Sequence, residues 1–225
     1  MPNAEAFREI VEMRHSVRDF LPVAVADETI RSVLADAQLS PSNCNTQPWD
    51  VHIVSGAKRE ELSKAMLAAS AKGEFSMDYG FDTADFYDCY KARSDAQGAQ
   101  YYEALGVKRE DFDARRTASN RNLTFFGAPH VALLFVPPFG DSVRAAADVG
   151  MYGQTFLLSL VANGLGGIPQ TMLGMFTEPV REVLNLRDKS KLLFGISFGY
   201  ENTDSAANRF RIDRAAINDT VTFHA

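Results

Sequence analysis

The sequence predicts an α+β fold in which helices flank one modest sheet. Three observations carry this. Apolar residues recur at helical spacing in several stretches, short segments alternate or run continuously apolar as strands do, and glycines and prolines punctuate the boundaries. In chain order, residues 4–14 form a helix with Phe7, Ile10 and Val11 on one face. A second helix spans 27–39; Asp27 is placed to cap it, and Ile30, Val33, Leu34 and Ala37 make its apolar stripe. Residues 49–55 form a strand in which Trp49, Val51 and Ile53 alternate with Asp50 and His52. A helix over 57–72 ends at Gly73. The strand 130–136 contains the longest apolar run, 131-VALLFV-136, which Pro137 and Pro138 stop. A long central helix, 144–163, ends at Gly164, and another helix follows at 177–185. The strand 192–199 carries Gly195 and Gly199, which permit close backbone approach. A last strand is expected at 220–223.

Composition bounds the function. A chain of 225 residues can bury one sizeable core, and no linker, repeat or low-complexity run divides it, so residues 1–225 read as a single domain. The net charge of −6 is mild and spread out, and the basic stretch 207-ANRFRIDRAA-216 is interleaved with an acid. Both argue against nucleic-acid binding. The N-terminus lacks the apolar core of a signal peptide, and no apolar run approaches the roughly 20 residues that cross a bilayer. Cys44 and Cys89 have no disulfide-framework or zinc spacing. The expected setting is reducing and cytoplasmic, without a membrane.

Two motifs carry chemistry. Residues 41–49, Pro-Ser-Asn-Cys-Asn-Thr-Gln-Pro-Trp, gather amide and hydroxyl groups in one short loop between prolines, beside the only Trp. Pro48 biases Gln47 toward extended geometry, as a loop feeding a strand needs. Such a loop can offer neutral donors and acceptors to a polar planar ligand, or it can simply be a well-bonded turn. Residues 14–20, Arg-His-Ser-Val-Arg-Asp-Phe, follow the first helix. Two guanidiniums and a hydroxyl suit a phosphate, because Arg presents paired planar donors; a solvated basic turn is the bland alternative.

In this order and spacing the two motifs resemble the FMN-dependent nitroreductase family. The turn 164-GLGG-167, the segment 168-IPQTMLGMF-176, the strand 192-LLFGISFGY-200 and the tail 208-NRFRIDRAAINDTVTF-223 agree, so the resemblance runs from about residue 5 to 223. It implies a nitroreductase-like fold with a mostly antiparallel central sheet. It also implies an intertwined homodimer whose C-terminal strand joins the partner's sheet, with two FMN sites at the interface.

The resemblance also implies site residues. Arg14, His15, Ser16 and Arg18 match the first flavin-binding segment: Arg14 at the phosphate, Ser16 at the phosphate or ribityl chain, Arg18 near the pyrimidine edge of the ring. Pro41, Ser42, Asn43, Asn45 and Gln47 match a second segment, contributed by the other subunit. Pro169, Gln170 and Thr171 match a third, whose backbone amides face the flavin; a Glu-Gly pair found in some members is replaced here. Arg211 and Arg214 lie where the last phosphate contacts fall, with the choice between them open.

The implied activity is hydride transfer from NADH or NADPH through FMN to a nitroaromatic acceptor, in ping-pong fashion, to nitroso and hydroxylamine products. No side chain need act as a nucleophile, since the cofactor carries the chemistry. No Gly-x-Gly-x-x-Gly follows a strand, consistent with one pocket shared by donor and acceptor. Relatives also reduce quinones, enones or halogenated phenols, or fragment the flavin, and a non-catalytic flavin binder is a third reading. The aromatic-rich excursion at about 74–126 reads as a lid over the flavin, or as ordinary helix packing.

Two other signals are weighed. Residues 195–199 match the Gly-x-Ser-x-Gly elbow of serine hydrolases around Ser197, with Asp204, Asp213 or Asp219 and His224 downstream. No helical periodicity follows, so the run reads as a buried strand. His15, His52, His130 and His224 show no metal-ligand spacing.

Overall fold

A computed structural model describes residues 3–187 and 189–224. Helix α1 is Ala4–Met13, α2 Asp27–Gln38, strand β1 Asp50–Ser55 and α3 Gly56–Lys72. Two helices of the excursion follow, α4 (Asp88–Ala104) and α5 (Phe112–Asn120). Then come β2 (His130–Val136), α6 (Val143–Ala162), β3 (Gly166–Gln170), α7 (Thr177–Leu184), β4 (Lys191–Gly199) and a short α8 (Ile217–Thr220). The four strands form one antiparallel sheet in the order β1-β2-β4-β3.

Strand β2 shows why an unbroken apolar run becomes a central strand. Its residues alternate between two cores. Val131, Leu133 and Phe135 face the cluster containing Leu62 and Met66 of α3, while Ala132, Leu134 and Val136 face the cluster of α2 and α6. Both faces are covered, so every position from Val131 to Val136 is apolar. Helix α6 lies on the second face and buries Val149, Tyr152, Phe156 and Leu160. Gly195 and Gly199 behave as expected: a Cβ at Gly195 would lie 2.5 Å from Leu173, and one at Gly199 2.7 Å from Pro129.

Two expectations are corrected. Asp27 does not cap α2; it is the first helical residue, behind Ala26, and acts there as an acid in the first turn. The strand at 220–223 is absent: Thr220 ends α8, and 221–223 pair with no strand among the described residues, because a strand requires a neighbour's backbone groups. The face of α1 bearing Phe7 and Val11 is exposed in the single chain, at 60% and 42%.

His130 opens β2 and gives the fold a pH dependence. The ring is buried and stacks on Phe198 at 5.3 Å, and its Nε2 accepts the Val25 N–H at 3.0 Å. That bond needs a lone pair, hence neutral imidazole. Burial pushes the pKa below the usual 6.5; Asp27 opposes this and Arg59 adds to it. A base with a depressed folded pKa supports the fold fully above its unfolded value, and that support is lost as pH falls below 6.5. Urea midpoints measured between about pH 7.5 and about pH 5.5 should therefore drop, and His130→Gln, which keeps an acceptor but cannot titrate, should flatten the dependence. Equal slopes for parent and variant would contradict this.

Candidate functional site

The first segment runs along the outer edge of the sheet. Ser16 pairs in parallel with Gly167, and the Val17 N–H donates to the Gly167 carbonyl at 3.3 Å. The glycines of β3 exist for this approach: a Cβ on Gly166 would lie 2.5 Å from Val17, and one on Gly167 2.7 Å from Leu160. Segment 14–18 thus covers the free edge of β3 and brings the first and third motifs side by side.

The C-terminal tail closes the site. Asn208 is buried; its Oδ1 accepts the Arg18 N–H at 2.7 Å, and its Nδ2 donates to the carbonyls of Asp19 at 2.8 Å and Asn202 at 2.9 Å. Beside it, Asp19 accepts from Arg121 at 3.0 Å and from the Ser205 hydroxyl at 2.9 Å. This pins the tail onto the first motif. The result is a cavity of about 610 Å³ lined by Arg14, His15, Ser16, Arg18, Arg211 and Arg214, together with Val11, Glu12, Gln154, Phe210 and Ile212. Segments almost 200 residues apart in sequence meet there.

Its electrostatics are unbalanced. Among the described residues, none of Arg14, Arg18, Arg211 and Arg214 has a carboxylate oxygen within 4 Å. Arg211 and Arg214 donate only to nearby backbone carbonyls. Burial lowers the Arg14 pKa, and the charge of Arg214 lowers it further. Four arginines lining one cavity against a single acid, Glu12, with no carboxylate in contact among the described residues, fit an anion with several oxygens, such as a phosphate. The donor set therefore suits the phosphate end of FMN.

Arg18 is held differently. Its guanidinium carbon sits 5.3 Å from the Tyr101 ring centroid and 5.2 Å from that of Phe210, and its Nη1 donates to the Ser16 carbonyl at 3.2 Å. Burial lowers its pKa, and Tyr101 partly offsets this. The two aromatic faces support the cation and fix its plane. His15, which also lines the cavity, is held by two contacts: Nδ1 lies 2.8 Å from the Met13 carbonyl and Nε2 3.0 Å from Glu201.

The second segment is not among the residues lining this cavity. Ser42, Asn43, Asn45 and Gln47 form a tight turn in which Cys44, Asn45 and Gln47 all have positive φ, so Gln47 does not take the extended geometry expected before Pro48. Such backbone persists only when surroundings hold it. Here the Gln47 N–H donates to Ser42 Oγ at 2.9 Å, and the Asn43 N–H donates to the buried carboxylate of Asp148 on α6 at 3.1 Å. Trp49 ties down the following strand, with its ring 5.1 Å from Tyr152 and its indole N–H on Gln38. Pro41 is exposed at the loop's start.

In the third segment, Pro169 and Thr171 are exposed and Gln170 is buried. The Gln170 side chain is fully used: its Nε2 donates to the Asn122 carbonyl at 2.9 Å, and its Oε1 accepts the Ser197 hydroxyl. This removes the hydrolase reading. Ser197 is wholly buried inside β4 and bonded to an amide, so it is no nucleophile. Among the described residues no three His, Cys, Asp or Glu side chains are grouped to hold a metal. Exposed Cys44 and Cys89 are free thiols.

Sequence reasoning missed Asn208, Asp19, Asp148 and Tyr101. Asp148 did leave a signal, as a lone acid in the apolar stretch of α6. Nothing distinguished Asn208 from other tail asparagines.

Comparison with known proteins agrees with this geometry. A family model described as the nitroreductase family matches residues 11–200. Nitroreductase NfnB of Mycolicibacterium smegmatis is 39% identical over 220 residues, covering 98% of this chain and 93% of that protein. A 4-nitrobenzoate reductase of Pseudomonas putida is 30% identical over 208 residues, covering 92% of this chain and 91% of its own. The crystal structure of the FMN-dependent NfnB from Mycobacterium smegmatis in complex with NADPH superposes with a TM-score of 0.95 at 38% identity, over 100% of both chains. An arginine-lined cavity built from the ends of the chain, on this sheet and with these relatives, has one consistent reading: the chain belongs to the nitroreductase family.

Proposed function

We propose that this chain is an FMN-dependent NAD(P)H oxidoreductase that reduces nitroaromatic compounds. The observation that carries the site assignment is the cluster of arginines with no carboxylate partner among the described residues, in which burial and then the charge of Arg214 lower the Arg14 pKa. When bound, FMN supplies two-electron hydride chemistry between a nicotinamide donor and the acceptor. Arg14, Arg211 and Arg214 bind and neutralise the phosphate, with the Ser16 hydroxyl as a further donor. Arg18 holds a fixed cation between two aromatic rings, where reduced solvent makes it count for more than in bulk water. Asn208 and Asp19 position Arg18 through its backbone.

The loop 41–49 acts from a partner subunit in this reading. Its polar groups lie outside the arginine cavity of their own chain, and exposed apolar residues of α1 (Phe7, Val11, Met13) leave a face for a homodimer. The exposed aromatics Phe75, Phe81, Tyr87 and Tyr90 form the lid over the acceptor. No helix among the described residues is long and apolar enough to cross a membrane.

The test is the visible spectrum of the purified protein under anaerobic conditions. A flavin spectrum should bleach with NADPH or NADH and return on adding 4-nitrobenzoate, and initial rates should give parallel double-reciprocal lines. A bound flavin that neither donor bleaches would sink the oxidoreductase reading. Intersecting lines would remove only the shared-pocket scheme.

A further inference from the structure

A second cavity lies on the excursion. Beyond the end of α4, Gly106 has a positive φ of 66° that lets the Val107 N–H turn back to the Tyr102 carbonyl at 2.9 Å. Asp111 then caps α5, accepting the Ala114 N–H at 2.9 Å. This tight corner folds Lys108, Arg109 and Arg115 over the side of α4. With Gly98, Ala99 and Tyr102 they line a groove of about 920 Å³.

Two acids, Asp95 and Glu103, line it beside four bases, Lys91, Lys108, Arg109 and Arg115, and most of the bases are unspent. Lys91 in the groove is paired with Asp95 at 2.7 Å, but Lys108, Arg109 and Arg115 have no carboxylate within 4 Å among the described residues. Arg115 lies over Tyr102, its guanidinium carbon 4.1 Å from the ring centroid. That leaves a planar, weakly hydrated surface on which a purine can stack. Gly98 is the second observation. Glycine weakens the middle of a helix, yet a Cβ here would meet nothing within 4 Å, so packing does not require it. It leaves flat open floor beside the cations. Tyr102 of the groove packs 5.7 Å from Tyr101, the ring under Arg18.

We infer that the groove formed by α4 and the start of α5 binds the adenosine 2′-phosphate end of NADPH, with the purine over Gly98 and Arg115 and the phosphate on Lys108 and Arg109. The inference rests on the nicotinamide-donor reading above and adds what selects NADPH over NADH.

Calorimetry on the FMN-loaded enzyme tests it without turnover. 2′,5′-ADP should bind about tenfold or more tighter than 5′-AMP, and Lys108→Ala with Arg109→Ala should erase that margin. In turnover the same variant should raise KM for NADPH about tenfold, leaving kcat and the KM for NADH within about twofold. Gly98→Leu, which fills the floor of an exposed helix, should leave the melting temperature equal or higher while weakening both nucleotides. Equal binding of 2′,5′-ADP and 5′-AMP, or an unchanged margin in the double variant, overturns the site. If 2′,5′-ADP binds as expected but saturating NADPH leaves the flavin oxidised, the site stands and the reductase reading falls.

Discussion

Replacing Arg14 and Arg214 together with alanine is expected to weaken FMN binding by about a hundredfold or more, so that the protein purifies without flavin. A charge-assisted hydrogen bond contributes about 1.5–3 kcal/mol, and two lost together exceed the roughly 2.7 kcal/mol that a hundredfold change represents. The same substitutions should not harm the empty protein. Burial and mutual repulsion both lower the Arg14 pKa, which means that the fold opposes its charge. Removing that charge relieves the fold, and the flavin-free variant should melt at or above the flavin-free parent. The two signs separate a cofactor site from a structural one. Structural arginines would show the reverse, a lower melting temperature with FMN affinity intact. Flavin fluorescence quenching gives the affinity and a thermal melt gives the stability.

The parts of this fold that were readable in the sequence are those whose environment is uniform along the element. Strand β2 is buried on both faces and α6 buries one broad stripe, so their apolar patterns were complete. Helix α4 was hidden because it buries only Tyr101, and α5 only Ala118. A helix that lies on the surface has no stripe to betray it and rests on its Ala, Gln and Lys content and its caps. Strand β3, Gly-Gly-Ile-Pro-Gln, has the composition of a turn. It is a strand because it lies at a sheet edge, where a proline costs no ladder bond, and because its glycines admit Val17 and Leu160.

The site divides in the same way. Arginines that wait for an anion stand out, since nothing in the chain explains them. The groups that aim those arginines did not, because a buried Asn or Asp is recognisable only by the backbone groups it meets. Gln170 illustrates the converse. It lies inside a recognisable motif, but its side chain serves the core through Ser197 and Asn122, leaving only its backbone to face a ligand.

Asn208 is where the hidden half of the site should show the largest stability effect. Asn208→Ala strands the Arg18 N–H and the carbonyls of Asp19 and Asn202, all bonded now at 2.7–2.9 Å. Each buried group left unpaired costs about 1–3 kcal/mol, so about 3–5 kcal/mol of stability should be lost, a large part of the roughly 5–15 kcal/mol available to a domain. FMN affinity should fall as well, because Arg211 donates to the Asn208 carbonyl at 2.6 Å and, among the described residues, this residue and Phe210 tie the tail 209–214 to Arg18. Asn208→Asp distinguishes the bonds from mere volume. It keeps the acceptor for Arg18 but turns a carboxylate oxygen toward two carbonyls. Those carbonyls disfavour the charged form and raise its folded pKa above the unfolded value of about 3.9. Its penalty is then full at neutral pH and relieved as pH falls through that raised pKa, because the protonated acid regains a donor. Urea unfolding of both variants across pH measures this, judged against the parent's own slope at each pH. An Asn208→Ala protein as stable as the parent, or an Asp variant that gains nothing relative to it on acidification, would show that the tail is held by packing around Phe210 instead.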